Sequence, residues 1–232
     1  MIYRFEETGS TNLDARAGAP GDVFVADRQT AGRGRLDHVW RTGDGVNLAF
    51  SVVIGVSGAD PASVATLPLV VGLAVVRMLG ARGVAAAIKW PNDVLVEDRK
   101  ICGILCERDG DRVIAGIGFN VNETRFPDEL ADRAVSLAQV LPESAPFDRE
   151  EVLAALLKSL REAVADWRRG GFAALRGEFA AVDRLRGRVV SVSQRDDDPA
   201  PVRGVALGVL EDGSMLVDGK PVYAGEAHVL EC

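Results

Sequence analysis

The stretch from Ala85 to Asn122 constrains the fold more than any other part of the chain. It reads A-A-A-I-K-W-P-N-D-V-L-V-E-D-R-K-I-C-G-I-L-C-E-R-D-G-D-R-V-I-A-G-I-G-F-N-V-N. Short β-branched runs alternate with Pro91-Asn92-Asp93, Asp98-Arg99 and Asp109-Gly110-Asp111, residues suited to tight turns. The pattern predicts consecutive hairpins: a strand carrying Lys89 and Trp90, a return over Val94–Val96, a strand opening at Lys100, and one over Arg112–Asn122. Lys89, Asn92, Asp93, Lys100 and Asn120 then lie on adjoining strand segments or their turns. Charged and amide groups among apolar strand residues are costly to bury without partners. As a set they point to a shared polar site, although Lys100 alone reads equally as a strand-edge lysine.

The segments on either side add further strands and helices. Ile2–Phe5 and Val23–Ala26 read as short strands, and Val46–Val56 as a buried one. In Thr8-Gly9-Ser10-Thr11-Asn12-Leu13-Asp14, Ser10 or Thr11 reads as the cap of a helix starting near Asn12. Asp60 and Pro61 open a predicted long helix to about Arg82. Glu123–Pro146 is predicted irregular. Asp148–Arg169 carries an apolar stripe of Val152, Leu153, Leu156, Leu157, Leu160, Val164 and Trp167 at helical spacing, and Phe172–Val182 reads as a further helix. From Leu185 the pattern changes to short strands, Arg188–Val192, Val202–Leu210, Ser214–Val217, Pro221–Tyr223 and Ala227–Leu230. This predicts a small all-β module, an SH3-like barrel, with Arg195–Pro201 as an exposed loop. The expected division is 1–184 and 185–232.

Between the second and third strands lies R-Q-T-A-G-R-G-R-L-D-H-V-W, from Arg28 to Trp40. Gly32 and Gly34 let the backbone lie close against a ligand. Arg33 and Arg35 present forked donors suited to phosphate or carboxylate. Taken alone, this is either a loop that closes over an anion or an exposed basic turn. It is neither a P-loop nor a dinucleotide-binding fingerprint, because G-x-x-x-x-G-K-[ST] and G-x-G-x-x-G are both absent.

The whole-chain charge narrows the partners. A net charge of −7 over 232 residues disfavours a general nucleic-acid binder, which needs a basic face, but allows a local basic pocket. Cys102, Cys106 and Cys232 show no metal-binding or disulfide spacing, which favours a reducing compartment. The N-terminus has no apolar signal region, so a cytoplasmic location is expected. Val64–Met78 is shorter than the roughly 20 residues of a membrane span and contains Pro68 and Arg77. It reads as a buried helix, and no membrane partner is expected.

Ser10-Thr11-Asn12, the G-R-G-R loop ending at Trp40, K-W-P-N-D at Lys89–Asp93 with K-x-x-G-I-L at Lys100–Leu105, and G-I-G-F-N-V-N at Gly116–Asn122 stand in one order. In that order they resemble the biotin protein ligases, over nearly the whole chain. The resemblance implies an α+β fold, with a mixed sheet flanked by helices (class II synthetase-like), followed by the SH3-like module. It implies a ligase that uses MgATP to convert biotin to biotinyl-5′-adenylate, then acylates a lysine of an apo biotin carboxyl carrier protein or domain. By the same resemblance Lys100, Arg35 and Asp93 are catalytic. Ser10, Thr11, Asn12, Gln29, Gly32, Arg33, Lys100, Gly103, Gly116 and Gly118 bind biotin. Arg33, Arg35, Trp40, Lys89, Asn92 and Asn120 meet ATP or the adenylate, and Asp93 meets Mg2+.

Two departures and two alternatives accompany this reading. The family's commoner loop is G-R-G-R-x-G-R-x-W, whereas Leu36, Asp37, His38 and Val39 stand here. His38 replaces an arginine with a group mostly neutral at pH 7, so either phosphate neutralisation there is weaker or another cation supplies it. The motif Ser10-Thr11-Asn12 comes so early that no N-terminal DNA-binding domain, and no DNA partner, is expected. A monomer and a homodimer both stay open. A lipoate or octanoate ligase shares the fold, but G-R-G-R, K-W-P-N-D and the β module count against it. A non-catalytic biotin-binding or regulatory protein would not need the intact Lys100, Arg33 and Arg35.

Overall fold

The computed structural model describes residues 1–35, 40, 45–193, 198 and 200–230. The departures at Leu36–Val39 and most of the 195–201 loop lie outside the described residues. Two compact units interleave in sequence: Met1–Ala59 with Leu95–Lys158, and Asp60–Val94 with Ser159–Cys232.

The first unit is built on strands β1 (Ile2–Thr8), β2 (Val23–Gln29) and β3 (Leu48–Gly55). The connection between β1 and β2 carries α1 (Thr11–Asp14) and a 3-10 turn over Ala15–Ala17. β1 and β2 run parallel, which requires this crossover, and β2 pairs antiparallel with β3. The predicted hairpins are present as β4 (Ala87–Lys89), β5 (Asp93–Val96), β6 (Arg99–Asp109) and β7 (Arg112–Phe119). The strand order of this mixed sheet is β1-β2-β3-β7-β6-β5-β4. The unit boundary falls inside β5, between Val94 and Leu95. The turn into β6 sits one residue earlier than expected, with Glu97 and Asp98 both in the left-handed region at φ 50° and 62°. That backbone matches the right-handed twist of the two strands it joins.

Register decides what the sheet offers. β7 pairs on both sides, with Ala49 and Gly103 opposite Gly118, and Ser51 and Leu105 opposite Gly116. Because side chains alternate along a strand, one face carries Val53 and Ile114 at one end, Ser51 in the middle, and Gly118 and Gly103 at the other. Ala15, Phe24, Val53 and Ile114 form a buried cluster with Tyr3 and Phe5 packed on it. The segment expected to be irregular holds a short helix, α4 (Leu137–Val140). Ser136 and Gln139 form a reciprocal capping box at its start.

The second unit opens with α2 (Pro61–Ala65) and α3 (Leu67–Gly80) rather than one long helix. Asp60 caps α2 by accepting from Ser63 N–H. Pro68 cannot supply the N–H that a helix running on from α2 would require, and the break falls at Thr66. α5 (Arg149–Gly170) passes from the first unit to the second, followed by α6 (Arg176–Val182). Arg77 on α3 is paired with Asp166 and Glu178 at 2.9 and 2.6 Å. The Glu178 carboxylate holds its guanidinium firmly charged.

The C-terminal module has strands β8 (Val189–Ser193), β9 (Val202–Val209), β10 (Met215–Val217), β11 (Lys220–Val222) and β12 (Glu226–Val229), in the order β11-β10-β9-β8-β12. It is antiparallel, as expected for the small β module, but the sheet is open. β11 and β12 stay at its edges among the described residues and do not close a barrel.

Candidate functional site

In the first unit, the end of β1 and the start of α1 are turned into the sheet. Ser10 is the residue before α1, but its side chain makes no capping hydrogen bond, so the expected cap is not formed there. Its carbonyl accepts from the N–H groups of Leu13 and Asp14 instead. Ser10, Thr11 and Asn12 are all buried.

The polar side chains around α1 form one connected chain. Thr11 N–H donates to Gln29 Oε1 at 2.8 Å, and the Thr11 hydroxyl lies 3.1 Å from the same oxygen. Ser51 Oγ lies 2.6 Å from Asn12 Oδ1 and 2.7 Å from Thr11 Oγ1. Serine has a single hydroxyl proton. That proton lies between Asn12 Oδ1 and Thr11 Oγ1, both acceptors here, because the Thr11 hydroxyl gives its own proton to Gln29 Oε1. Asn12 Nδ2 donates to Glu107 Oε2 at 2.7 Å and to Leu105 O at 3.3 Å. Ser51 and Glu107 are members that sequence reading missed. A lone hydroxyl in L-A-F-S-V-V-I was one signal. A carboxylate on the same strand face as Gly103 and Leu105 was the other.

Next to this chain, the glycines form a bare floor. A Cβ on Gly118 would run into the Trp40 indole, and one on Gly116 into the Asn12 amide. A Cβ on Gly103 would meet both Trp40 and Lys100 at 2.9 Å. Trp40 therefore lies directly on the strand backbone. Lys100 Nζ stands 5.7 Å from the centroid of its ring, within range of a cation–π contact. The Trp40 backbone N–H donates to Gly32 O at 3.0 Å, which brings together the two ends of the Gly-Arg loop. Arg33 Nη2 reaches Glu107 at 2.9 and 3.2 Å, and Arg35 is half-buried.

Asn120 is buried, and its amide N–H groups donate to Lys100 O and Val135 O at 3.3 and 3.1 Å. It ties the end of β7 to the strand that carries Lys100. Beside Glu107, burial pushes the Cys106 thiol up to about 12, with the Glu107 charge adding to the effect. That thiol is an inert neighbour at neutral pH.

Lys89, Asn92 and Asp93 belong to the second unit. Lys89 ends β4, the Trp90–Pro91 bond is cis, and Asn92 and Asp93 are half-buried at the start of β5. Trp90 is buried and donates its indole N–H to Gly213 O at 2.9 Å. In the same unit burial raises the Asp183 carboxyl, and the Ser214 hydroxyl holds Asp212 low.

Among the described residues no three His, Cys, Asp or Glu side chains cluster as a metal site. No helix among them is long and apolar enough to cross a membrane.

Residues 5–122, which hold all of these motifs, match the biotin/lipoate A/B protein ligase family model. The chain belongs to the biotin/lipoate protein ligase family. Among relatives of this family, it is 33% identical to the biotin–[acetyl-CoA-carboxylase] ligase of Mycobacterium tuberculosis, over 97% of this chain and 86% of that one. It is 34% identical to the bifunctional ligase/repressor BirA of Bacillus subtilis, over 90% of this chain and 66% of that one. The chain thus spans just under two thirds of the length of that relative. The fold superposes on the biotin protein ligase of Aquifex aeolicus in complex with biotin and ATP with a TM-score of 0.86. That match is at 30% identity and covers 100% of this chain and 99% of that one.

Proposed function

We propose that this protein activates biotin with ATP as biotinyl-5′-adenylate and transfers the biotinyl group to a lysine of a biotin carboxyl carrier protein or domain. One observation carries the reading. A chain of donors and acceptors, with Thr11, Asn12 and Ser51 buried and Gln29 half-buried, adjoins a glycine floor that holds Trp40 and Lys100. A ligand with a polar ring, an apolar body and a carboxylate needs those three environments.

In the first step a biotin carboxylate oxygen attacks the α-phosphorus of ATP, and the bond to pyrophosphate breaks. Both reactants are anionic, so cations must bring them together and hold them in line. Lys100, Arg33 and Arg35 supply those cations. Arg33 is paired with Glu107, but both partners are partly exposed, at 41% and 22%. Such a pair is worth about 1 kcal/mol at most, so a ligand carboxylate or phosphate can compete for the same guanidinium. Magnesium bound to the triphosphate would neutralise charge on the leaving group, with Asp93 and Asn92 as the residues to meet it. Lys89 and Asn120 are assigned to the nucleotide with Trp40.

In the second step a neutral carrier lysine attacks the acyl carbon, and AMP leaves with the electrons of the C–O bond. The proton lost by the amine passes to a base, for which Asp93 is the proposed orienting or accepting group.

Biotin-dependent exchange of labelled pyrophosphate into ATP tests this directly. The expected result is exchange with biotin but not with lipoate or octanoate, lowered about 100-fold or more in Lys100→Ala. Exchange with lipoate alone would move the protein to the other branch of the family. Biotin binding without exchange would make it a binding protein.

A further inference from the structure

We propose that Glu107 is a positioning residue for the acid substrate, acting through Asn12 and Arg33. The inference rests on the biotin reading above. A carboxylate is the wrong sign for a site that gathers anions. Its partners explain its presence. Oε2 accepts from Asn12 Nδ2 at 2.7 Å and from Arg33 Nη2 at 2.9 Å. Oε1 lies 3.2 Å from the same Arg33 nitrogen and 3.6 Å from Arg16 Nη2. Two guanidinium groups against one carboxylate leave the cluster cationic.

Two consequences follow from this geometry. First, Glu107 sets which way the Asn12 amide faces. If that amide were flipped, its oxygen would point at the Glu107 carboxylate and the Leu105 carbonyl, both acceptors. The orientation present puts Oδ1 on Ser51, where it accepts from the Ser51 hydroxyl. One carboxylate thereby sets the sense of the Asn12–Ser51 contact, and Ser51 also meets Thr11, whose N–H and hydroxyl both donate to Gln29 Oε1. Second, Glu107 holds Arg33 by one terminal nitrogen. Nη1 and Nε stay outside that contact. The anchor sits four residues beyond Gln29, so the polar chain and the Gly-Arg loop share one counter-ion.

The test uses the full-length protein and Glu107→Gln, with pyrophosphate exchange measured while biotin and ATP are varied separately. Biotin binding without ATP is followed by calorimetry, and folding by a thermal melt. Glutamine has the shape of glutamate but cannot accept from Asn12 and Arg33 together without turning its own donors on one of them. The expected result is a biotin KM and Kd raised at least about tenfold, with kcat and the ATP KM within about threefold. The double variant Asn12→Asp/Glu107→Gln exchanges amide and carboxylate across the 2.7 Å contact. It is expected to recover part of the biotin affinity, which a merely structural role would not produce. An unchanged biotin KM in Glu107→Gln, with a wild type that exchanges, would overturn the role of Glu107 alone. So would an equal loss in kcat and in both KM values. A wild type that neither binds nor exchanges with biotin would overturn the functional reading and this inference together. Glu107→Ala is expected to show the larger KM effect; should it fail to fold, the isosteric variant decides.

Discussion

Gly118 leaves no space for a side chain, because the Trp40 indole occupies the volume where a Cβ would project. Gly103 is limited in the same way by Trp40 and Lys100. The small residues of the G-I-G-F-N motif therefore read physically as a floor on which an indole and a lysine stem lie, not as flexible hinges. Gly118→Ala is expected to displace Trp40 and lower biotin-dependent exchange at least about tenfold. Trp40 fluorescence, isolated by comparison with Gly118→Ala/Trp40→Phe, should shift to the red as the ring leaves the strand. Unshifted emission with normal exchange would mean that the floor is not what limits the site. Asn120 shows how a residue singled out by its motif can make contacts that are not readable in advance. Its amide N–H groups are both used on backbone carbonyls of Lys100 and Val135, contacts that no local pattern announces.

At the scale of elements, β6 combines several roles by alternation. Gly103, Leu105 and Glu107 share one face, and the opposite face carries Cys102, Ile104 and Cys106. Burial drives the Cys106 thiol up from 9.0 to about 12. The sign for stability follows from proton binding. Below pH 9 both folded and unfolded states keep the proton; above it the unfolded chain loses the proton first, so stability falls as pH rises from 9 towards 12. The slope from this one proton is at most about 1.4 kcal/mol per pH unit. Urea unfolding across that range should show a shallower decline for Cys106→Ala than for wild type, and equal slopes would show that the thiol is not held protonated. Two other elements were partly readable. The start of α2 was legible in Asp60-Pro61, whereas its end at Thr66 depends on Pro68 withholding the N–H that a continuous helix needs. The capping box Ser136-x-x-Gln139 was present in the sequence, although α4 is only one turn long and sits in a Pro- and acid-rich segment.

At the scale of the whole molecule, residues far apart in sequence are joined by a few specific contacts inside each unit. In the second unit Trp90 of K-W-P-N-D donates to Gly213, 123 residues away. Thr66 packs beside that same glycine, and Trp167 donates to the Thr66 hydroxyl at 3.1 Å. The K-W-P-N-D turn is thereby tied to the turn between β9 and β10. Trp90→Phe keeps most of the buried ring but leaves the Gly213 carbonyl without its indole donor. The expected loss is about 1–2 kcal/mol of unfolding free energy, read by chemical denaturation. An unchanged midpoint would show that the contact carries no stability.

Local sequence by itself determined the hairpins, because turn chemistry and β-branched runs act over a few residues and specify their own doubling back. It also determined which residue types come as a set, since Arg33, Lys100 and the glycines occur in motifs with a definite order. Tertiary structure alone decided that Ser51 and Glu107 belong with them. Their membership depends on the register of β3, β7 and β6, and a one-residue slip would turn both side chains to the other face. It also decided that the C-terminal strands end as an open sheet. Closure depends on whether β11 and β12 can meet, which is a matter of distance in space that no single strand encodes.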